Sequence, residues 1–565
     1  MENQEIHRLS GNSERQTTGL FEFLFPKGII VLLLLICCIG TAYSQKTGSK
    51  IIRFDGSANI SNNFYSASGI LPRQKSNMGP GILRANVTLF DQILLPFELY
   101  FSTQQTRFQQ PFNQFGVSPR FSDWLTVHAG YFTTQMSELS FGDLRMLGGG
   151  FELTPGKFRL KAFYGRTRHA TEASLENYMT GTFKQTAYAM SIGYGDESKT
   201  FFNLNIFRAA DESGSLTSSS AMVKPNENLV STLSFGIYFG PKIFFNGEAG
   251  ISAFSADITA DKIEDFTLPE FLFTPNISTR VDGAAKLRVH IVPSDFWSVV
   301  LSSQWIGPGF NSLGYALMPN DYMEYTIAPS VRLFNNKLNI RSRAGIRLNN
   351  LRNNRLSTTS RFTGSFSANW QVSQKFGFDA NYNNNVIQSG HVNDTLRLAN
   401  VFSSYSFSPR LMFDALGGAN NLMLSYSFQD VSDKNIYTSV VTDNRSHSLS
   451  TIHSIAFPSS LSFTTTLLYN TGKLSALNTQ IIHVSETVGI RLFKNQVNLS
   501  AGVGANFIKT TVNDSQLVLR INASYSPPRF GTLSFNLSNN TYNGTGLITQ
   551  SYRELFGSLQ YNINF

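Results

Sequence analysis

The feature that most constrains this chain is an alternation of apolar and polar residues running from near Ile51 to the last residue. Reading back from the end, Phe565, Ile563, Tyr561, Leu559, Gly557 and Leu555 take every second position, with Asn564, Asn562, Gln560 and Ser558 between them. Val497, Leu499, Ala501, Val503, Ala505 and Phe507 repeat the pattern, as do Leu517, Leu519, Ile521, Ala523 and Tyr525. Successive side chains of a β-strand point to opposite faces, so each stretch has one apolar and one polar side. No part of the region sustains a helical period, and no run of apolar residues is long enough for a membrane helix. The predicted class is all-β.

A second regularity lies in the connections. Short ones such as Pro155-Gly156, Gly240-Pro241, Asn335-Asn336, Ser373-Gln374, Lys494-Asn495 and Pro527-Pro528 take turns with longer polar loops at 210–226, 256–276, 387–395 and 432–443. Short turns on the periplasmic side and long loops outside are the habit of transmembrane barrels. Two strands per short turn predict an antiparallel up-and-down β-barrel of about 26 strands, within a range of roughly 22–26. In lipid the apolar face of each strand meets hydrocarbon and the polar face lines the interior.

The N-terminus reads as a secretory leader. Lys27 precedes the apolar run Ile29–Ile39, and the small residues Ala42 and Ser44 follow, predicting cleavage after Ser44. Residues 1–44 are then a signal peptide, 45–50 a short periplasmic N-terminus and 51–565 the barrel, with no room for a separate plug or periplasmic domain. Cys37 and Cys38, the only cysteines, fall in the leader, so the mature part has no thiol, disulfide or cysteine-based metal site. The formal net charge is +9, but the basic residues are spread along the strands rather than clustered, which argues against nucleic acid.

The leader, the two-residue repeats and the terminal Leu559-Gln560-Tyr561-Asn562-Ile563-Asn564-Phe565 together resemble the large single-chain outer-membrane β-barrel proteins of double-membraned bacteria. The resemblance implies an outer-membrane location, lipid neighbours and assembly by the barrel-assembly machinery, with Tyr561, Ile563 and Phe565 as the candidate assembly signal. It is unspecific for function. The chain departs from the plugged TonB-dependent transporters, from assembly barrels with periplasmic repeats and from the lipopolysaccharide exporter with its periplasmic jelly roll.

Little in the sequence points to catalysis or a cofactor. The histidines from His128 to His483 are scattered, with no zinc-binding pair, nucleophile elbow or phosphate loop. His128 with Glu138 and Asp143 is the one arrangement that could imitate a hydrolase, and a wall-lining histidine is the simpler account. Gly148-Gly149-Gly150 reads as a strand that another backbone approaches closely. Trp297, Trp305, Trp370, Tyr525, Tyr561 and Phe565 sit near strand ends and suit interfacial girdles.

The polar positions between 278 and 348 are unusually charged. Arg280, Asp282, Lys286, Arg288, His290, Glu324, Arg332, Arg341, Arg343 and Arg347 share the inward parity. Lumenal charge sets ion selectivity, so a basic wall favours anions or an acidic partner. The competing account is an internal lattice of ion pairs. A barrel this wide must also be closed, either by inward-folded loops or by a plug or lipoprotein partner. Loops 210–226 and 256–276 are the candidates, the second carrying Phe266, Leu268, Phe271, Leu272 and Phe273. The leading expectation is a transport or secretion conduit. A non-conducting scaffold for an envelope complex is the alternative, and a barrel-embedded hydrolase a distant third.

Overall fold

The computed structural model describes residues 52–565 except 91–92, 103–113, 143, 174–179, 218–222, 264–268, 392, 436, 475–476 and 547–549. The proposed leader therefore lies outside the described residues. Within them the chain forms one antiparallel sheet that closes on itself. Each strand pairs with the next, and the first, Ile52–Ser68, pairs with the last, Tyr552–Asn564, in a register running from Ser57–Asn564 to Ser68–Arg553. Of 28 strand segments, Asn77–Met78 is a short extension against the first strand, and Gln114–Val117 with Arg120–Phe121 form one interrupted stave. The barrel has 26 staves, as the turn count predicts.

Closure follows from the terminal residues themselves. Gly56 and Phe565 exchange both backbone hydrogen bonds, at 2.8 and 3.0 Å, and the Phe565 ring stacks on Phe54 with centroids 5.2 Å apart. A barrel has no free edge, so every strand hydrogen bond is satisfied internally, which is what a low-dielectric membrane demands.

The short turns fall where the sequence places them. Asn335 and Asn336 both take positive φ (54° and 66°), and Gly240 takes 74°, the left-handed geometry that tight hairpin connections need. The loop predicted at 387–395 is displaced, because the strand Phe376–His391 runs on to His391, and the turn expected at Pro293-Ser294 falls at 295–296, because the strand Thr279–Ser294 includes both residues. The glycine triplet behaves as expected from close approach. A Cβ on Gly148 would lie 2.0 Å from the Tyr164 carbonyl, and one on Gly150 would lie 2.4 Å from the Phe163 ring.

Large apolar side chains cover the outside. Met190, Ile192, Leu204, Leu233, Ile251, Leu287, Leu301, Ile327, Ile346, Phe366, Phe407, Leu449, Ile482 and Leu519 are exposed, and every one has the outward parity of its strand. Trp297, Trp370, Tyr525 and Tyr561 lie on this face at the short-turn end, and Trp305 at the other. An apolar band bounded by aromatic residues makes this a transmembrane barrel of the outer-membrane type.

Candidate functional site

The interior is not uniform. Two connections, 134–144 after the strand Leu125–Thr133 and 307–321 after the strand Trp297–Ile306, fold back onto the polar face of the wall and pack together. Phe141 and Gly314 form a parallel bridge, the Tyr315 hydroxyl donates to the Ser137 carbonyl at 2.6 Å, and the Ser312 hydroxyl donates to the Ser140 carbonyl. We refer to this pair as the insert. Leu139, Phe141, Ser140 and Phe310 within it are completely buried.

The wall beneath is apolar where the insert covers it. Ala187, Ala189, Phe207, Ala209, Val230, Ala284 and Ile306 point inward and form one cluster with Leu139, Phe141 and Phe310. Phe141 stacks on Phe207 with centroids 5.2 Å apart. Each of the larger side chains, Leu139, Phe141, Phe207, Val230, Ile306 and Phe310, contributes about 1.5–3 kcal/mol on burial, so the insert is a fixed part of the wall rather than a loosely held flap.

Polar contacts place it. The Glu138 carboxylate accepts hydrogen bonds from both terminal guanidinium nitrogens of Arg288 (3.3 and 3.2 Å) and lies 3.6 Å from Lys286, while the Glu138 backbone N–H donates to Glu248 at 2.9 Å. Asp282 accepts the Gly309 N–H and the Arg352 guanidinium, each at 2.8 Å, and Arg355 lies 2.7 Å from Asp321. Between insert and wall lies a cavity of about 440 Å³ lined by Glu138, Arg159, Lys161, Glu248, Lys286 and Arg288. Charges of both signs surround it, and buried oxygens of Asn246 and Glu248 have no protein partner, a setting for ordered water.

The predicted lumen-lining residues therefore separate into groups. Lys286 and Arg288 hold the insert, and Arg347 is bound to Glu324 and stacked over the Tyr322 ring at 4.4 Å. Arg343 reaches Glu324 only at 4.0 Å. Arg280, Arg332 and Arg341 have no carboxylate within ion-pair distance among the described residues. Arg361, a polar-face residue just beyond the charged stretch 278–348, faces Arg347 across the strand pair and donates to Asn385 at 3.0 Å.

One expectation is corrected. Loops 210–226 and 256–276 do not supply the insert. Within the described residues, 210–226 is tied to its neighbour by the Thr217–Glu172 and Lys184–Ser215 hydrogen bonds. The end of 256–276 turns onto the outward face, where the Phe271 carbonyl accepts the Tyr188 hydroxyl and the Thr274 N–H reaches Glu227. Phe273 is buried there, while Phe266 and Leu268 lie outside the described residues. Nearer its start, the Asp257 carboxyl is held below the usual carboxylate range by the Thr259 hydroxyl and amide.

His128 takes the simpler of its two roles. It does not meet Glu138, and Asp143 lies outside the described residues. Its ring instead bridges the Ser118 hydroxyl at 2.8 Å and Glu152 at 3.1 Å. The order serine, histidine, acid has the outline of a hydrolytic relay. The ring, however, is packed between Phe132 and Phe163, and Glu152 is also paired with Lys161 at 3.1 Å. The group has the makeup of a satisfied wall network.

The other half of the barrel, from Ser357–Gln371 round to Tyr552–Asn564, carries no insert among its described residues. Its inward face is amide- and hydroxyl-rich. His483, Asn506, Gln516 and Asn540 form a chain of hydrogen bonds across four strands at 2.6, 2.7 and 2.7 Å. Asn498–Ser524, Asn522–Ser500 and Asn536–Ser558 pairs continue it.

No protein-family model matches the chain, and no curated protein matches it. Among solved structures, OccAB4 of Acinetobacter baumannii is 9% identical over 64% of this chain and 97% of that one, with a TM-score of 0.31. The P pilus usher PapC translocation pore is 10% identical over 91% and 100%, with a TM-score of 0.28. A bacterial polysaccharide outer-membrane secretin is 14% identical over 51% and 91%, also at 0.28. Overlap at this level is loose, and the fold assignment rests on the strand pairing. The chain is a closed transmembrane β-barrel.

Proposed function

We propose that the protein is a conduit for polar cargo across the outer membrane, with the route along the half of the lumen that the insert leaves uncovered. The carrying observation is the unequal interior. A circular barrel of this strand number, with strands ~4.8 Å apart and tilted ~40°, would be about 50 Å across between backbones. Two short connections packed on one sector cannot fill such a space. The uncovered sector offers hydroxyls and amides, which exchange hydrogen bonds with hydrated cargo at little net cost.

On this reading the insert narrows the passage and does not gate it, because moving it would expose Leu139, Phe141 and Phe310 to water. Closure falls to a separate partner, such as a plug or lipoprotein seated in the uncovered sector. Reconstitution into planar bilayers tests the proposal. Large current steps are expected from protein whose folding is verified by the gel-mobility change on boiling. Silence from folded protein would overturn it in favour of a scaffold, and a stoichiometric partner recovered from membranes would identify the closure.

A further inference from the structure

The arginines of the wall are not equivalent, and the difference points to a class of cargo. Lys286, Arg288 and Arg347 are consumed by Glu138 and Glu324. Arg332, Arg341 and Arg361 have no carboxylate within ion-pair distance among the described residues, and Arg343 has one only at 4.0 Å. These four lie on three neighbouring strands, Tyr322–Leu333, Leu338–Asn349 and Ser357–Gln371, all with inward parity.

Their register arranges them as a strip. Arg332 pairs in register with Asn339, one inward step from Arg341 toward the short-turn end. Arg341 and Arg343 are successive inward residues on one strand, ~7 Å apart. Arg361 stands opposite Arg347 further toward the long-loop end. The strip thus follows the wall from one side of the membrane toward the other, along the border between the filled and the uncovered sectors. Beside Arg343 is a recess of about 280 Å³ lined by Thr363, Ser365, Asn383, Asn385 and Phe402, so hydroxyl and amide donors adjoin the guanidinium.

Placing like charges side by side costs energy unless counter-charge is present. The protein supplies little. Glu324 is committed to Arg347, and Asp379, the inward acid two strands away, is hydrogen-bonded to Asn369. Guanidinium forks with adjacent hydroxyls match the oxygens of carboxylate, sulfate and phosphate groups. We infer that Arg332, Arg341, Arg343 and Arg361 form an oxyanion-binding strip, and that the cargo of the conduit carries such groups. The inference deepens the conduit reading and rests on it for the word cargo, though the strip can bind oxyanions whether or not the barrel conducts.

Two measurements separate the ideas. In bilayers under a potassium chloride gradient, the wild-type barrel should favour chloride over potassium. The variant Arg341→Glu/Arg343→Glu/Arg361→Glu should lower that ratio several-fold and reverse the preference, while conductance persists. Arg445→Gln, whose ion pair with Asp430 faces outward, should leave it unchanged. Should the glutamate variant not fold, Arg341→Gln/Arg343→Gln/Arg361→Gln should still abolish the preference.

The second measurement is equilibrium binding of inorganic tripolyphosphate to the detergent-solubilised barrel, compared with dextran sulfate and uncharged dextran of equal length. Binding of tripolyphosphate alone assigns the strip to small oxyanions, and binding of dextran sulfate to oxyanion groups on a polymer. Loss of that binding in the triple variant supports the strip even from a barrel that proves silent. A conducting barrel with no anion preference and no oxyanion binding overturns the strip and leaves the conduit standing.

Discussion

The two sides of this barrel solve the same problem in different ways. From Leu125–Thr133 to Tyr322–Leu333 the insert covers the inner face toward the long-loop end, and the inward residues beneath it include Phe207, Val230 and Ile306. From Ser357–Gln371 to Tyr552–Asn564 the inner face meets the lumen, and its inward residues are mostly Asn, Ser, Thr and Gln. The first side is held by apolar burial, which is worth more per residue. The second is held by exchangeable hydrogen bonds, each of which adds about 1 kcal/mol. On the proposed reading, cohesion and passage fall to different sectors of one ring.

That contrast can be broken most forcefully at the insert. Replacing Phe141 and Phe310 with aspartate buries two charges in the apolar cluster and should expel both connections into the lumen solvent. Single-channel conductance should change at least twofold. An unchanged conductance would show that the insert does not border the pathway.

A comparison of truncations sharpens the energetic side. Phe207→Ala removes a fully buried ring and should cost about 3–5 kcal/mol, read as a lower urea midpoint for loss of the compact gel band. Gln516→Ala removes one link of the amide chain and should cost about 1 kcal/mol. Equal costs would mean that the two sectors are held alike. The smallest effect is expected at Glu138→Gln. Its pairing with Lys286 and Arg288 is partly exposed, so the loss should be about 0.2–1 kcal/mol, with the insert still seated by protease protection.

Much of the barrel is legible from parity alone. Alternation identifies the strands, short turns give their number, and the same parity separates inward arginines from outward leucines. The insert was not legible from its own residues. Met136, Leu139, Phe141 and Phe310 are isolated apolar positions among Ser, Gly and Asn, with no period to mark them. The sign lay in the partners. Ala187 and Ala189 alternate with Tyr188, Met190 and Ile192, and Phe207 follows Ile206, so these strands are apolar on both faces. A strand of that kind must be covered on both sides, which sets it apart from the Asn- and Ser-backed strands further on. The loop 256–276 misled for the opposite reason. Its phenylalanines are real apolar surface, but Phe273 is buried against the outer rim and not inside.

The insert has a mechanical consequence. A wide ring of single-layer sheet is a soft hoop, whereas a sector backed by a close-packed second layer resists bending. Phe141 pressed on Phe207, and Asp282 bound to Gly309 and Arg352, turn roughly one side of the hoop into a stiff panel. Any breathing of the cross-section is therefore concentrated on the side that has only its strand ladder to hold it. Bending of the ring falls on that side, hinged against a panel that keeps its shape.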